Sequence, residues 1–123
     1  MKHSLEVYLN EELIFFSDRH WLHPLFELEA FLNKGDFPVE KLWVKDKIIG
    51  RAAALILMHL GIKKVHGQTM SRLAREVLDY YNVAFSYDQL IERIACRTEE
   101  LLKNEWQGIK AYQLVKGRIK AQP

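Results

Sequence analysis

Apolar and polar positions alternate at the start of the chain. Leu5, Val7 and Leu9 interleave with Glu6, Tyr8 and Asn10, and the run Leu13-Ile14-Phe15-Phe16 follows a polar break at Asn10-Glu11-Glu12. Two short runs about a polar break predict a β-hairpin. Asp18-Arg19-His20-Trp21 then forms a polar-aromatic loop, after which the period lengthens. Leu22, Leu25, Phe26, Leu28, Phe31 and Leu32 recur at helical spacing up to Lys34, and Gly35 ends the segment. Pro24 falls in the first turn of that helix, where its missing N–H costs nothing.

Beyond Pro38 the pattern becomes a strand–helix series. Leu42-Trp43-Val44 reads as a strand, and a helix over residues 47–60 follows, apolar nearly all round from Ala52 to Met58. Such a helix must be buried on most of its surface. Gly61 suits its C-terminal cap. A short strand at Lys64–His66 ends at Gly67, and Thr69 or Ser71 can cap the next helix, whose apolar stripe is Leu73, Val77, Leu78 and Tyr81. Asn82 closes that helix, and Val83–Tyr87 returns as a strand. Residues 88–97 read as a short helical turn, and from Thr98 onward Leu102, Trp106, Ile109 and Tyr112 suggest an amphipathic helix that Gly108 weakens. The order β-β-α-β-α-β-α-β predicts an α/β fold: a three-layer α/β/α sandwich with a mixed, mainly parallel sheet of five strands and helices on both faces.

Composition narrows the class. At 123 residues, 49% hydrophobic and 28% charged, the chain is that of an ordinary globular domain. The net charge of +2 is uneven. Residues 1–100 carry 13 basic and 15 acidic side chains, whereas Lys103, Lys110, Lys116, Arg118 and Lys120 face only Glu105 thereafter. The tail reads first as a solvated helix face. Basic residues do not alternate with aromatic ones along the chain, so nucleic acid is disfavoured as a partner. The apolar run Ala52–Met58 is far short of a membrane span. The first residues lack the apolar stretch of a signal peptide. Cys96 is the sole cysteine, which excludes an internal disulfide and a four-cysteine zinc site and fits a reducing, cytoplasmic setting.

The run Asp46-Lys47-Ile48-Ile49-Gly50-Arg51-Ala52-Ala53-Ala54-Leu55 carries the candidate chemistry. It stands where a strand gives way to a buried helix, a junction that faces the ligand crevice in open α/β sheets and whose free amides favour anions. As a helix cap, Asp46 would satisfy those amides. As a site residue it would bind a hydroxyl or amine. Lys47 at a helix start opposes the dipole, and Gly50 inside a buried helix is unfavourable, so both point to a site.

That same run resembles a small family of unknown function with a cytidine-deaminase-like fold. The likeness extends from about Leu5 to Arg97 and takes in Gly61-Ile62-Lys63-Lys64-Val65, Ser71, Asn82-Val83, Ser86-Tyr87 and Leu90-Ile91. It implies a deaminase-like domain over residues 1–97 with a helical extension over residues 98–123. After the last strand, members of that family tend to read Ile-x-Asn-Arg, then a glycine and Cys-Pro. Here Ile94-Ala95-Cys96-Arg97 keeps the arginine and places cysteine at the asparagine, while Glu99-Glu100-Leu101-Leu102 replaces Cys-Pro.

Zinc-dependent deamination requires His/Cys-x-Glu at one helix start and Pro-Cys-x-x-Cys at the next. Neither is present: the first helix opens His23-Pro24-Leu25-Phe26-Glu27, and the second opens without a thiol. His20 and His23, with His66 or Asp18, form only a weak metal pattern. The expectation is therefore a protein without a cofactor or metal that binds a small anionic, nucleotide-like ligand through Asp46, Lys47, Gly50, Cys96 and Arg97. The alternatives are an enzyme using Asp46 and Lys47, with Cys96 or Arg97, or an interaction module acting through the basic C-terminal helix. The composition leaves a homo-oligomer open.

Overall fold

A computed structural model describes residues 1–121 of the chain. Strands β1 (Leu5–Leu9) and β2 (Glu12–Ser17) form the hairpin, and α1 (His23–Leu32) follows. The turn uses Asn10 and Glu11 at φ 50° and 69°, the left-handed pair that matches the twist of a tight hairpin. Next come β3 (Trp43–Ile49), α2 (Arg51–His59), β4 (Lys64–Ser71), α3 (Arg72–Tyr80) and β5 (Ala84–Ile91). The chain closes with α4 (Arg97–Leu101) and α5 (Gly108–Ala121). The sheet has five strands in the order β2-β1-β3-β4-β5; β1 is antiparallel to both neighbours, and β3, β4 and β5 are parallel.

Several boundaries differ from the sequence expectation. β3 does not end at Val44 but continues through Asp46 and Lys47 to Ile49, with Lys47 N–H donating to the Ser4 carbonyl at 3.0 Å. Asp46 and Lys47 are therefore strand residues, and neither caps nor opposes α2. Gly50 is the N-cap rather than a residue inside the helix. Gly67 does not break the chain either. It is buried in the middle of β4, where a Cβ would lie 3.1 Å from Ile49 Cδ1. β5 runs on through Ile91 in place of the helical turn expected at 88–97. The C-terminal segment is two helices, with Gly108 opening the second. Ser71 caps α3, its Oγ accepting from Ala74 N–H at 3.1 Å. Gly61 at φ 87° ends the α2 region, with Ile62 N–H returning to the Leu57 carbonyl at 3.1 Å.

The near-continuous apolar surface of α2 has a direct cause. Residues from Arg51 to Leu57 are all buried, because α2 lies on the sheet and is covered by the other helices. Right-handed crossovers between the successive strands β3, β4 and β5 place α2 and α3 on the same face. α1 joins that face through Phe15 and Phe31, whose rings are 4.9 Å apart. α5 packs on α2 and α1: Ala111 and Val115 are fully buried, and the Tyr112 ring lies 4.6 Å from His59 and 5.4 Å from Phe26. At Gly108 the backbones approach so closely that a Cβ would sit 2.6 Å from the Leu55 carbonyl oxygen.

The helices thus gather on one face, whereas the sequence reading expected them on both. The opposite face carries Phe16, Tyr8 and Trp43, none of which belongs to the core or packs against it. No helix among the described residues is long and apolar enough to cross a membrane.

Candidate functional site

The end of β3 leads directly into α2, and a cavity of about 230 Å³ opens at that junction. Its floor is Asp46 and the first turn of α2, Gly50 to Ala53. The loop 19–22 forms one wall and residues 94–99 form another. Lys47 and Ile48, both exposed, stand at the rim.

Asp46 lies inside this cavity, half-buried. Loss of solvent around the carboxyl pushes it from the ordinary 3.8 up to about 7, against the opposing pull of the Ile48 and Lys47 amides. Ile48 N–H points at Asp46 Oδ1 over 3.4 Å, too long to hold the charge strongly. A carboxyl of this kind exchanges its proton near neutrality.

The start of α2 is capped from a distance. Gly50 has no side chain to offer, and the buried Glu99 of α4 takes that role: Oε1 accepts from Arg51 N–H at 2.6 Å, and Oε2 accepts from Ile94 N–H at 2.8 Å. The glycine is required by space, not by its backbone angles. A Cβ there would lie 2.9 Å from Ile94 Cδ1 and 3.2 Å from Glu99 Oε1. Ala52 and Ala53, the next two residues, line the cavity, and their amides have no acceptor among the described residues. They are the free N–H groups of a helix N-terminus.

Arg51 faces the other way and is fully buried. Its guanidinium donates to the Leu73 carbonyl at 3.0 Å, to Glu76 Oε2 at 3.1 Å and to the Glu105 carbonyl at 2.6 and 3.1 Å, with the Trp106 ring 4.4 Å away. It ties α2 to α3 and to the turn before α5. All of these partners belong to neighbouring segments of the fold, so the guanidinium is fully engaged within it.

Of the residues expected at the site, Asp46, Lys47, Gly50 and Cys96 line the one cavity. Arg97 does not. It is exposed and lies outside the lining, because the chain turns into α4 there and brings Thr98 and Glu99 inward instead. Cys96 is exposed, with its Sγ 3.3 Å from Thr98 Oγ1.

Sequence reasoning did not find Arg19, Trp21 or Glu99. Trp21 is held at φ 58°, a strained conformation for a bulky residue, and is 40% exposed at the cavity wall. The weak histidine pattern is dispersed. His66 bonds Ser86 and Asp88 on the far face of the sheet, and Asp18 bonds His3.

Among solved structures, the chain is similar to a DUF1893 family protein, TM1506, from Thermotoga maritima. The two share 28% identity at a TM-score of 0.79, over 94% of this chain and 80% of that one. No curated protein matches the chain. The family model described as TM1506, a domain of unknown function (DUF1893), matches residues 2–116, and the chain belongs to this family.

Proposed function

We propose that the cavity at the end of β3 binds a small ligand bearing an anionic group, and that the protein does not deaminate it. The observation that carries this reading is the pair of unpartnered amides, those of Ala52 and Ala53, in the helix turn that lines a cavity together with Lys47, Arg19 and His20. Free helix-start amides and neighbouring cations favour phosphate or carboxylate. Trp21 offers a planar surface beside them, which suits a nucleotide-like molecule. The volume of about 230 Å³ suits a small metabolite better than an extended cofactor. The cavity lies where a parallel strand hands over to a helix, the place at which open α/β folds hold their ligands.

The chain lacks both zinc-binding motifs of the hydrolytic deaminases, so an activated water of that kind has no ligand set here. A thermal-shift series with inorganic phosphate, nucleoside monophosphates and small carboxylates tests the reading. At least one should raise the melting temperature, and Lys47→Ala should reduce that rise while leaving the unliganded protein almost unchanged. No response to any anion would overturn it.

A second reading is favoured by Asp46, whose carboxyl is pushed up to about 7 beside Lys47. A general acid or base works best at such a value. On this reading the protein is an enzyme acting on the same ligand. Asp46→Asn would then abolish turnover while preserving ligand binding.

A further inference from the structure

The side of the sheet away from the helices carries three aromatic residues on three adjacent strands: Phe16 on β2, Tyr8 on β1 and Trp43 on β3. Tyr8 and Trp43 are directly paired across β1 and β3, with ring centroids 6.1 Å apart. Phe16 is 50% exposed, with His3 stacked on it at 3.9 Å. Two lysines stand over these rings. Lys45 Nζ is 4.2 Å from the centre of the Trp43 ring and 5.3 Å from that of Tyr8, and Lys64 Nζ is 4.6 Å from Trp43.

The carboxylates of this face are already engaged. Glu6 is buried and accepts from Tyr8 OH at 3.0 Å, and Asp88 pairs with His66 at 3.3 Å. Neither Lys45 nor Lys64 has a carboxylate partner among the described residues. Trp43 Nε1 is a buried donor with no acceptor among the described residues. Strand alternation hides this arrangement in the sequence, where Trp43 and Lys45 are two apart and Tyr8 and Lys64 are remote.

From this face we infer that the protein binds single-stranded nucleic acid. Aromatic rings on the central strands of an open sheet stack on unpaired bases, and unpaired lysines beside them take the phosphates. An acidic peptide would use the lysines and leave the three rings without a function. A duplex keeps its base faces covered. The lysine heads that now rest on Trp43 and Tyr8 would move to phosphate as bases take their place. This inference is independent of the cavity on the opposite side of the sheet.

The test is fluorescence anisotropy with short labelled poly(U) and poly(dT) strands at several salt concentrations, using the full chain. The wild type should bind, with log affinity falling linearly with log salt. The double variant Lys45→Ala/Lys64→Ala should reduce that slope by about 1.4, at roughly 0.7 for each lost phosphate contact. Trp43→Leu should weaken binding by about tenfold or more, as stacking is lost. Lys45→Arg/Lys64→Arg should retain binding, and Lys110→Ala/Lys120→Ala on α5 should change it little. Circular dichroism checks that each variant is folded. The inference is overturned by absence of binding at low salt, by a salt slope and affinity in the Lys45/Lys64 double variant equal to those of the wild type, or by loss only in the α5 variant. Equal competition by poly-glutamate would also overturn it, since bare negative charge would then suffice.

Discussion

Glu99 is the residue whose removal most directly tests how the cavity is built. Its carboxylate is 1% exposed and holds two backbone amides, those of Arg51 and Ile94. Glu99→Ala leaves both N–H groups without an acceptor, and a buried unpaired donor costs about 1–3 kcal/mol. The change also removes a negative charge from the start of α2, worth roughly 0.3–1 kcal/mol through the helix dipole. Water entering from the adjacent cavity offsets part of this, so the expected loss is about 2–4 kcal/mol. For a domain of this size that corresponds to a fall of roughly 10 °C in Tm.

Glu99→Gln should cost about half as much, since its carbonyl can accept from one amide while its NH₂ opposes the other. Urea unfolding followed by far-ultraviolet circular dichroism gives the free energy, with an unchanged slope showing that the folded state is otherwise intact. A loss below about 0.5 kcal/mol, the range of an ordinary surface substitution, would refute the distant cap.

Further expectations concern Asp46, Gly108 and Cys96. Between about pH 4 and pH 7 the folded protein holds a proton on Asp46 that the unfolded chain has released, so this group lowers stability as pH rises through that window. Asp46→Asn should therefore stabilise the protein at pH 8 by about 2–4 kcal/mol and flatten that part of the profile, and an unchanged profile would contradict the assignment. Anion binding should strengthen as pH falls through 7, because the neutral carboxyl no longer repels the ligand. Gly108→Ala should destabilise by roughly 2–3 kcal/mol in urea, since its Cβ meets backbone of α2 that cannot yield cheaply. Iodoacetamide should label Cys96, and a bound anion should slow the reaction; labelling indifferent to every anion would place the ligand elsewhere.

The hairpin, the helices α1 to α3 and the burial of α2 were legible because each follows from a local period or cap. The end of β3 was not. Lys45, Asp46 and Lys47 form a polar run that reads as a strand terminus, yet in an open sheet Lys45 can lie on the uncovered face, while Asp46 and Lys47 line the cavity where β3 ends. Gly67 read as a break for the same reason, when its role is to make room for Ile49.

Of the candidate site, the run and the segment after the last strand made legible only the meeting of Asp46, Lys47, Gly50 and Cys96 around one cavity. Their explanation changed. Gly50 is needed by Glu99, which lies 49 positions away in the sequence. Arg51 serves the packing of three helical segments, and no spacing rule could have revealed partners as distant as Glu76 and Glu105. Arg97 lies outside the cavity lining because the chain after β5 folds into α4, which brings Thr98 and Glu99 inward.

Backbone amide NMR reads directly whether the open amides of α2 receive an anion. Inorganic phosphate and nucleoside monophosphates should be titrated into the labelled protein. Saturable shifts should centre on the Ala52 and Ala53 amides, with smaller changes at Lys47 and Trp21, and should be lost in Lys47→Ala at the same concentrations. Shifts that spare Ala52 and Ala53, or that remain linear and unsaturated for every anion, would contradict it.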